Sequence, residues 1–516
     1  MIRLLPVLAA GLAALLALPA DAQTAPPLEL SVENVELAPP LGARLAPGPD
    51  REALEDLPVI DPDARTAGAE VLRRLVLQGR AGGLAGVIYD NRDRGHSRLP
   101  ASLFPQLTPT LYDRALRDER LDYGLAGTIF FRAPVIGNSS TAVTSGATPR
   151  SLGRLAMTSP NAPLRAWQLY AANHLYVYPG HRDHDRVDLF PANWPYTVLS
   201  QGSSYTDRPF LRALALTLAA FPPETRARLE AEGLVAPTLQ MILRRTLNDV
   251  NSRAAYFTGL AHPTVFTREM LRPGRMVGLA AAITPGDIPP MVALQVEVDG
   301  FRRRAGLVDL PEQLFDTPSA IARIWRGFET EKEMIVSAAA TNDPNGRPLS
   351  FDWALLRGDP ERVRITPLDA QGTRARLTIG WHDRRPVGPR ESRLTDRIDI
   401  GVFANNGVHD SAPAFVSVSF PTHETREFET GPDGALRLVA IDYDAIGRER
   451  TFDPVLHWSA PWRDVFTHDA EGRITGWTRH FAEGGSEAFD RVETGTAHRL
   501  SRARGRPPVL RMIGAE

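Results

Sequence analysis

Residues 176–204 read YVYPGHRDHDRVDLFPANWPYTVLSQGSS. Within this stretch His181, Asp183, His184, Asp185 and Asp188 crowd together. Two imidazoles interleaved with carboxylates form a donor set suited to Zn²⁺, Mn²⁺ or Fe²⁺, and the aspartates alone suit Ca²⁺. In a loop such neighbours converge readily, because no helical or strand period separates them. The spacing matches neither H-E-x-x-H nor an EF-hand loop. The alternative is a solvated turn in which Arg182 and Arg186 neutralise the aspartates. A second polar cluster, YDNRDRGHSRLP at 89–100, follows a glycine-rich run and brings Asp90, Asn91, Arg92, Asp93, Arg94 and His96. His96 is the candidate third imidazole ligand, with a surface loop of paired charges as the other reading.

The flanks of the first cluster supply acid–base candidates. AANHLYVYPG carries Asn173, His174, Tyr176 and Tyr178, and DLFPANWPY adds Asn193, Trp194 and Tyr196. Tyr, Trp and Asn beside a charged loop suit a sugar-binding cleft. A polysaccharide lyase uses Tyr or His to take the proton next to a carboxylate while Asn, Arg or a cation neutralises that charge. The competing reading makes His174 a hydrogen-bonded core residue sharing a helical face with Leu164, Trp167 and Ala171. Ser203 and Ser204 precede a helix, but no G-x-S-x-G occurs, so a nucleophile elbow is not supported. Glycoside hydrolysis by a carboxylate pair stays open, because 61 Asp and Glu residues single out no pair.

Composition removes other chemistries. There is no cysteine, which excludes disulfides, iron–sulfur centres and thiolate–zinc sites. Lys332 is the sole lysine and stands in neither a P-loop nor a Schiff-base context. The glycine run GRAGGLAG lacks G-x-G-x-x-G, so no nucleotide cofactor is expected. A formal net charge of −2 argues against nucleic-acid binding, which needs a basic field. Residues 1–22 have the design of a signal peptide: Arg3, an apolar run from Leu4 to Leu18 and an Ala20-Asp21-Ala22 cleavage box. The expectation is a periplasmic or secreted protein with no membrane span after cleavage.

The elements that must position these residues divide the chain of 516 residues into a multidomain α+β arrangement. Residues 23–62 form a proline-rich leader. Residues 63–327 read as a helix-rich domain holding the functional site. ARTAGAEVLRRLVLQG stops at Gly79, TDRPFLRALALTLAAF is capped by Thr206 or Asp207, and APTLQMILRRTLNDV carries an apolar stripe. PPETRARLEAEG reads as a polar helix, and 267–282 and 311–326 as further helices. Over 328–403 the period changes to alternation, with turns at Asp343-Pro344-Asn345-Gly346, Arg357-Gly358-Asp359 and Gln371-Gly372.

ATNDPNGRPLSFDW followed by RITPLDAQGTRARLTI resembles a PKD-like or cadherin-like immunoglobulin-type module. The chain departs from many PKD modules at FDWALLRGD and at the insert HDRRPVGPRESRLTD. The resemblance implies an immunoglobulin-like β-sandwich with Trp353 as a core anchor, used as an extracellular spacer or binding module. Residues 404–481 read as a further β-rich segment with hairpins at Asp433-Gly434 and Glu471-Gly472. Residues 482–516 read as a flexible tail. The functional expectation is an exported, metal-dependent hydrolase or lyase acting on a polymer, polysaccharide first. The alternative is a non-catalytic binding or scaffold protein.

Overall fold

The computed structural model describes residues 24–38, 43–125, 129–142, 161–184, 187–308, 310–388, 391–421, 424–443, 457–458, 462–490, 498–501 and 509–512. The expected signal peptide lies outside the described residues. Among those described, no helix is long and apolar enough to cross a membrane.

The N-terminal region is built on a parallel sheet, not on helices. Its six strands are β1 (Leu28–Leu30), β2 (Ile88–Asn91), β3 (Thr108–Tyr112), β4 (Val135–Asn138), β5 (His174–Pro179) and β6 (Thr197–Ser200). Their order across the sheet is β1-β3-β2-β4-β5-β6, and every neighbouring pair is parallel. This corrects the expectation of a helix-rich N-terminal domain. A strand covered on both faces carries a continuous apolar run with no alternation. Each residue of β4, β5 and β6 is buried, so VIGN, HLYVYP and TVLS gave no period-2 signal.

Most of the helices read from sequence form, 311–326 excepted. They include α1 (Ala67–Leu77), α2 (Ala162–Ala171), α3 (Arg208–Ala220), α4 (Pro223–Ala231), α5 (Val235–Arg245) and α6 (Pro273–Ala282). Gly79 follows α1 at φ +66°, the left-handed conformation that closes a helix with least strain. Helices α1, α3 and α6 pack on one another, α3 reaches β4, and α2 and α5 lie against β5.

The β-sandwich begins earlier and ends later than alternation implied. One sheet has the order β7-β10-β13-β12 and the other β8-β9-β15-β14-β11. In chain order these strands are β7 (Gln295–Asp299), β8 (Gln313–Thr317), β9 (Ala320–Ile324), β10 (Glu331–Ser337) and β11 (Ser350–Arg357). They continue as β12 (Val363–Pro367), β13 (Arg374–Gly380), β14 (Arg397–Asn405) and β15 (Ala414–Ser419). Thus 311–326, expected as a helix, supplies β8 and β9. Trp325 and Trp381 fill the core, their rings 6.0 Å apart and nearly perpendicular at 89°. Trp353, expected as the anchor, is half-buried and donates from Nε1 to the Gly372 carbonyl at 2.7 Å. The turn at 343–346 forms as expected, with Gly346 N–H donating to the Asp343 carbonyl.

A five-stranded antiparallel sheet follows. Its strands are β16 (Thr425–Thr430), β17 (Leu436–Asp442), β18 (Trp462–His468), β19 (Ile474–Phe481) and β20 (Ser486–Asp490). The expected flexible tail from 482 therefore contributes β20, and His498–Ser501 pairs with Val509–Met512 as strands.

Candidate active site

From β2 the chain moves to one side of the sheet to form β3, then returns to the other side for β4. The carboxyl ends of β2 and β4 thus flank a switch point, where loops diverge and leave a crevice. Beneath it lies a closed charge hub. Asp90 is fully buried and accepts from Arg92 Nε at 2.7 Å, Tyr112 Oη at 2.7 Å, Thr110 Oγ1 at 3.0 Å and Tyr176 Oη at 2.5 Å. Burial raises its carboxyl, but Arg92 and the hydroxyl donors outweigh it and hold the acid below its usual range. Gly137 makes this possible: a Cβ there would stand 2.4 Å from the Tyr176 ring and 2.5 Å from the Asp90 carbonyl.

Above the hub, the loop after β2 turns outward. Asp93 Oδ2 meets His96 Nδ1 at 2.9 Å, and Asp93 Oδ1 accepts from Ser140 Oγ at 2.7 Å. The carboxylate is nearly buried while the His96 side chain is 43% exposed, so the ring is anchored from behind and open in front. A carboxylate accepting Nδ1–H fixes the tautomer in which Nε2 carries a free lone pair. The His96 ring lies 5.0 Å from that of Tyr205, which is half exposed and has the Arg208 guanidinium 4.4 Å over it.

A second carboxylate sits alongside. Asp207 was expected as the cap of α3, but its side chain caps nothing. It accepts instead from Asn138 Nδ2 at 2.6 Å and from the Ser97 hydroxyl. Burial pushes its carboxyl up, against the opposing hydrogen bonds of Ser97 and Asn138. Asn138 Oδ1 in turn accepts from Tyr89 Oη at 2.9 Å and Asn91 Nδ2 at 3.1 Å.

The backbone is strained around this cluster. Of the seven non-glycine residues at positive φ among those described, four stand on carboxyl-edge loops: Arg94 (52°), Ser97 (54°), His181 (44°) and Tyr205 (74°). Each such residue costs about 1–3 kcal/mol, and such costs concentrate where geometry serves function.

The residues singled out from sequence scatter over this frame. Asn173 and His174 sit at the amino end of β5, opposite the crevice. Asn173 receives Val235 N–H and donates to the Glu230 carbonyl. His174 accepts Phe131 N–H at 3.0 Å, and burial lowers it to about 4, so it is the core histidine. Tyr176 belongs to the Asp90 hub, and Tyr178 stacks on it at 6.3 Å. Burial raises both phenols well above their usual range, so neither serves as a base near neutral pH.

The cluster at 181–188 divides. His181 N–H donates to the Gly202 carbonyl at 2.9 Å, at the edge. His184 is 1% exposed, packs on Phe190 and keeps Nδ1 3.8 Å from Asp188; burial lowers its basicity. Asp188 is committed to arginines from the sandwich. Arg357 Nη1 donates to it, Arg397 Nη2 lies at 3.2 Å, and Asp399 completes a buried quartet with Arg397 at 2.8 Å. Burial raises the Asp188 carboxyl, but the two guanidiniums overcome this and hold it well below the usual range. Its charge is met by Arg357 and Arg397; the side chain of Arg182 and the whole of Arg186, expected to neutralise the aspartates, lie outside the described residues. The side chain of Asp183 and the whole of Asp185 lie outside the described residues. Among the described residues no three His, Asp or Glu side chains gather in a way that holds a metal ion, and His96 is paired with Asp93.

Ser97, Asn138, Ser140 and Tyr205 were not singled out from sequence, and Asp207 was read only as a helix cap. The one usable signal was the run VIGNSS, apolar residues ending abruptly in Asn and Ser.

No protein-family model matches the chain, and no curated protein matches it. Among solved structures the chain is similar to a nucleoside hydrolase-related hypothetical protein from Saccharophagus degradans that is associated with carbohydrate metabolism. The identity is 12%, over 56% of this chain and 71% of that one, with a TM-score of 0.19. An overlap at that score carries no argument.

Proposed function

We propose that the chain is a hydrolase acting on carbohydrate at the carboxyl edge of the parallel sheet, with His96 as general base. The observation that supports this most is the Asp93–His96 pair, a buried carboxylate fixing an open imidazole at the switch point. In the proposed step His96 Nε2 takes a proton from water. The resulting hydroxide attacks the anomeric carbon, the glycosidic C–O bond breaks, and the leaving oxygen takes a proton from solvent on the opposite face of the ring, while the imidazolium returns its own proton to bulk water. Asp93 stabilises that imidazolium. The half-exposed Tyr205 ring beside His96 offers a platform for the apolar face of a sugar. In this reading residues 1–22 direct export, and the PKD-like module presents the chain to its polymer.

The test is a screen of the purified full chain on neutral and acidic oligosaccharides, with products identified by mass. Addition of water across the cleaved bond, lost in His96→Gln with the fold intact, is the expected result. An unsaturated product would mean β-elimination. Full activity in His96→Gln, or no turnover on any glycan, overturns the proposal. Chelation is expected to leave the rate unchanged; loss of activity on chelation would restore a divalent ion at Asp183 and Asp185.

A further inference from the structure

The sandwich and the C-terminal sheet border a half-open pocket of about 490 Å³, far in sequence from the carboxyl edge. Its floor is aromatic. Phe328, on the loop between β9 and β10, lies 5.3 Å from Phe466 and 6.1 Å from Trp477 of β19. Leu307, Leu438 and Ile474 complete the apolar wall.

The rim is cationic. Arg302 and Arg304 come from the sandwich, Arg437 and Arg473 from the C-terminal sheet. Glu329 is the one carboxylate in the lining, and it is already held by Lys332 at 3.1 Å and Arg302 at 2.9 Å. Arg437 leans on Asp433 at 3.0 Å, and Arg473 on Asp469 at 2.7 Å and Glu471 at 3.1 Å. Arg304 is exposed and, among the described residues, meets no carboxylate. Trp477 is 3% exposed, and among the described residues its indole Nε1–H meets no acceptor. A buried donor without a partner costs about 1–3 kcal/mol, a cost that a ligand oxygen would remove.

Apart from Glu329, Thr330 and His468, the lining side chains offer donors and apolar faces. The matching ligand is therefore rich in acceptors, negatively charged and flat on one side. We infer that this cavity binds an acidic oligosaccharide, a sugar ring lying on the aromatic floor with its carboxylate or sulfate between Arg304 and Arg473. The choice of a sugar over another anion rests on the carbohydrate reading above; the charge requirement rests on the cavity alone.

The test uses the full chain and calorimetric titration with four probes: an oligogalacturonate, a chondroitin sulfate oligosaccharide, a cello-oligosaccharide and oligoglutamate. Binding of one or both acidic sugars, with no binding of the neutral one, is expected. Affinity should fall about tenfold in Arg304→Glu and about fivefold in Trp477→Phe, the usual weight of a charged and a neutral hydrogen bond. It should also weaken with added salt. The two acidic sugars distinguish carboxylate from sulfate as the recognised group. Binding retained in His96→Gln separates this site from the hydrolytic one, so loss of turnover and loss of binding are read independently. Binding of oligoglutamate in preference to both acidic sugars overturns the inference. So does equal affinity for the neutral oligosaccharide, or acidic binding untouched by either substitution.

Discussion

Two loops of nearly the same composition leave the carboxyl edge of one sheet and meet opposite fates. The loop at 90–97 and the loop at 181–188 both mix histidine, aspartate and arginine. In the first, the charge that needs neutralising, Asp90, is met by Arg92 two residues on, and Asp93 is left to hold an imidazole toward solvent. In the second, Asp188 is met by arginines far along the chain, Arg357 lying 169 positions away, and His184 is sealed in with it. A carboxylate beside a histidine leaves the imidazole available to a ligand when the ring stays open. It becomes a weld when both groups are buried against another module.

The largest effect that can sharpen this contrast is on the weld. Asp188→Asn leaves Arg357 and Arg397 buried with one carboxylate between them. It should lower unfolding free energy by about 3–5 kcal/mol in chemical denaturation. A loss below about 1 kcal/mol would show that the quartet is not the joint described here.

On the open loop, Asp93→Asn should leave stability little changed but cut kcat roughly a hundredfold, about 2.7 kcal/mol, with KM held. Equal losses in folding and rate would erase the distinction between the loops.

The third prediction concerns pH. Burial depresses the basicity of His184 in the folded protein, against the opposing pull of Asp188, while the unfolded chain titrates it near 6.5. The unfolded state therefore binds the extra proton first. The stability this group contributes is present above that value and is lost as pH falls below it toward the depressed value. His184→Gln should flatten the fall in unfolding free energy between neutral and mildly acidic pH. An unchanged slope would assign acid sensitivity to other groups.

The smallest effect is expected from Ser140→Ala. It removes one hydrogen bond to Asp93 and should lower kcat about fivefold, the weight of about 1 kcal/mol.

How much of this was legible follows the same division between local and distant partners. The helices at 208–220 and 235–245 announce themselves by period, and the hairpin turns of the C-terminal half by Asp-Gly and Glu-Gly. The parallel strands do not, because VIGN and HLYVYP are wrapped on both faces and carry no alternation. The edges of the sandwich were misjudged for a related reason: AIARI of β9 is buried at every position. At the site, His96 was singled out from the composition of its loop, but as a metal ligand; its pairing with Asp93 three positions away was not read. Its surroundings were not, because Ser140, Tyr205 and Asp207 are brought there by the crossings of the sheet. Asp188 was read as a ligand because nothing near it in sequence reveals Arg357 and Arg397.

Val187–Asp188 also pairs as a short parallel strand with Leu394–Thr395 of the sandwich insert. The backbone of one module is thus stitched to a short hairpin of the other at the point where their charges cancel. A gene fusion that swapped this sandwich for a different one would have to supply two guanidiniums at matched depth and a free strand edge in matched register. A chain cut at their border would keep a buried, unneutralised acid in place of a joint.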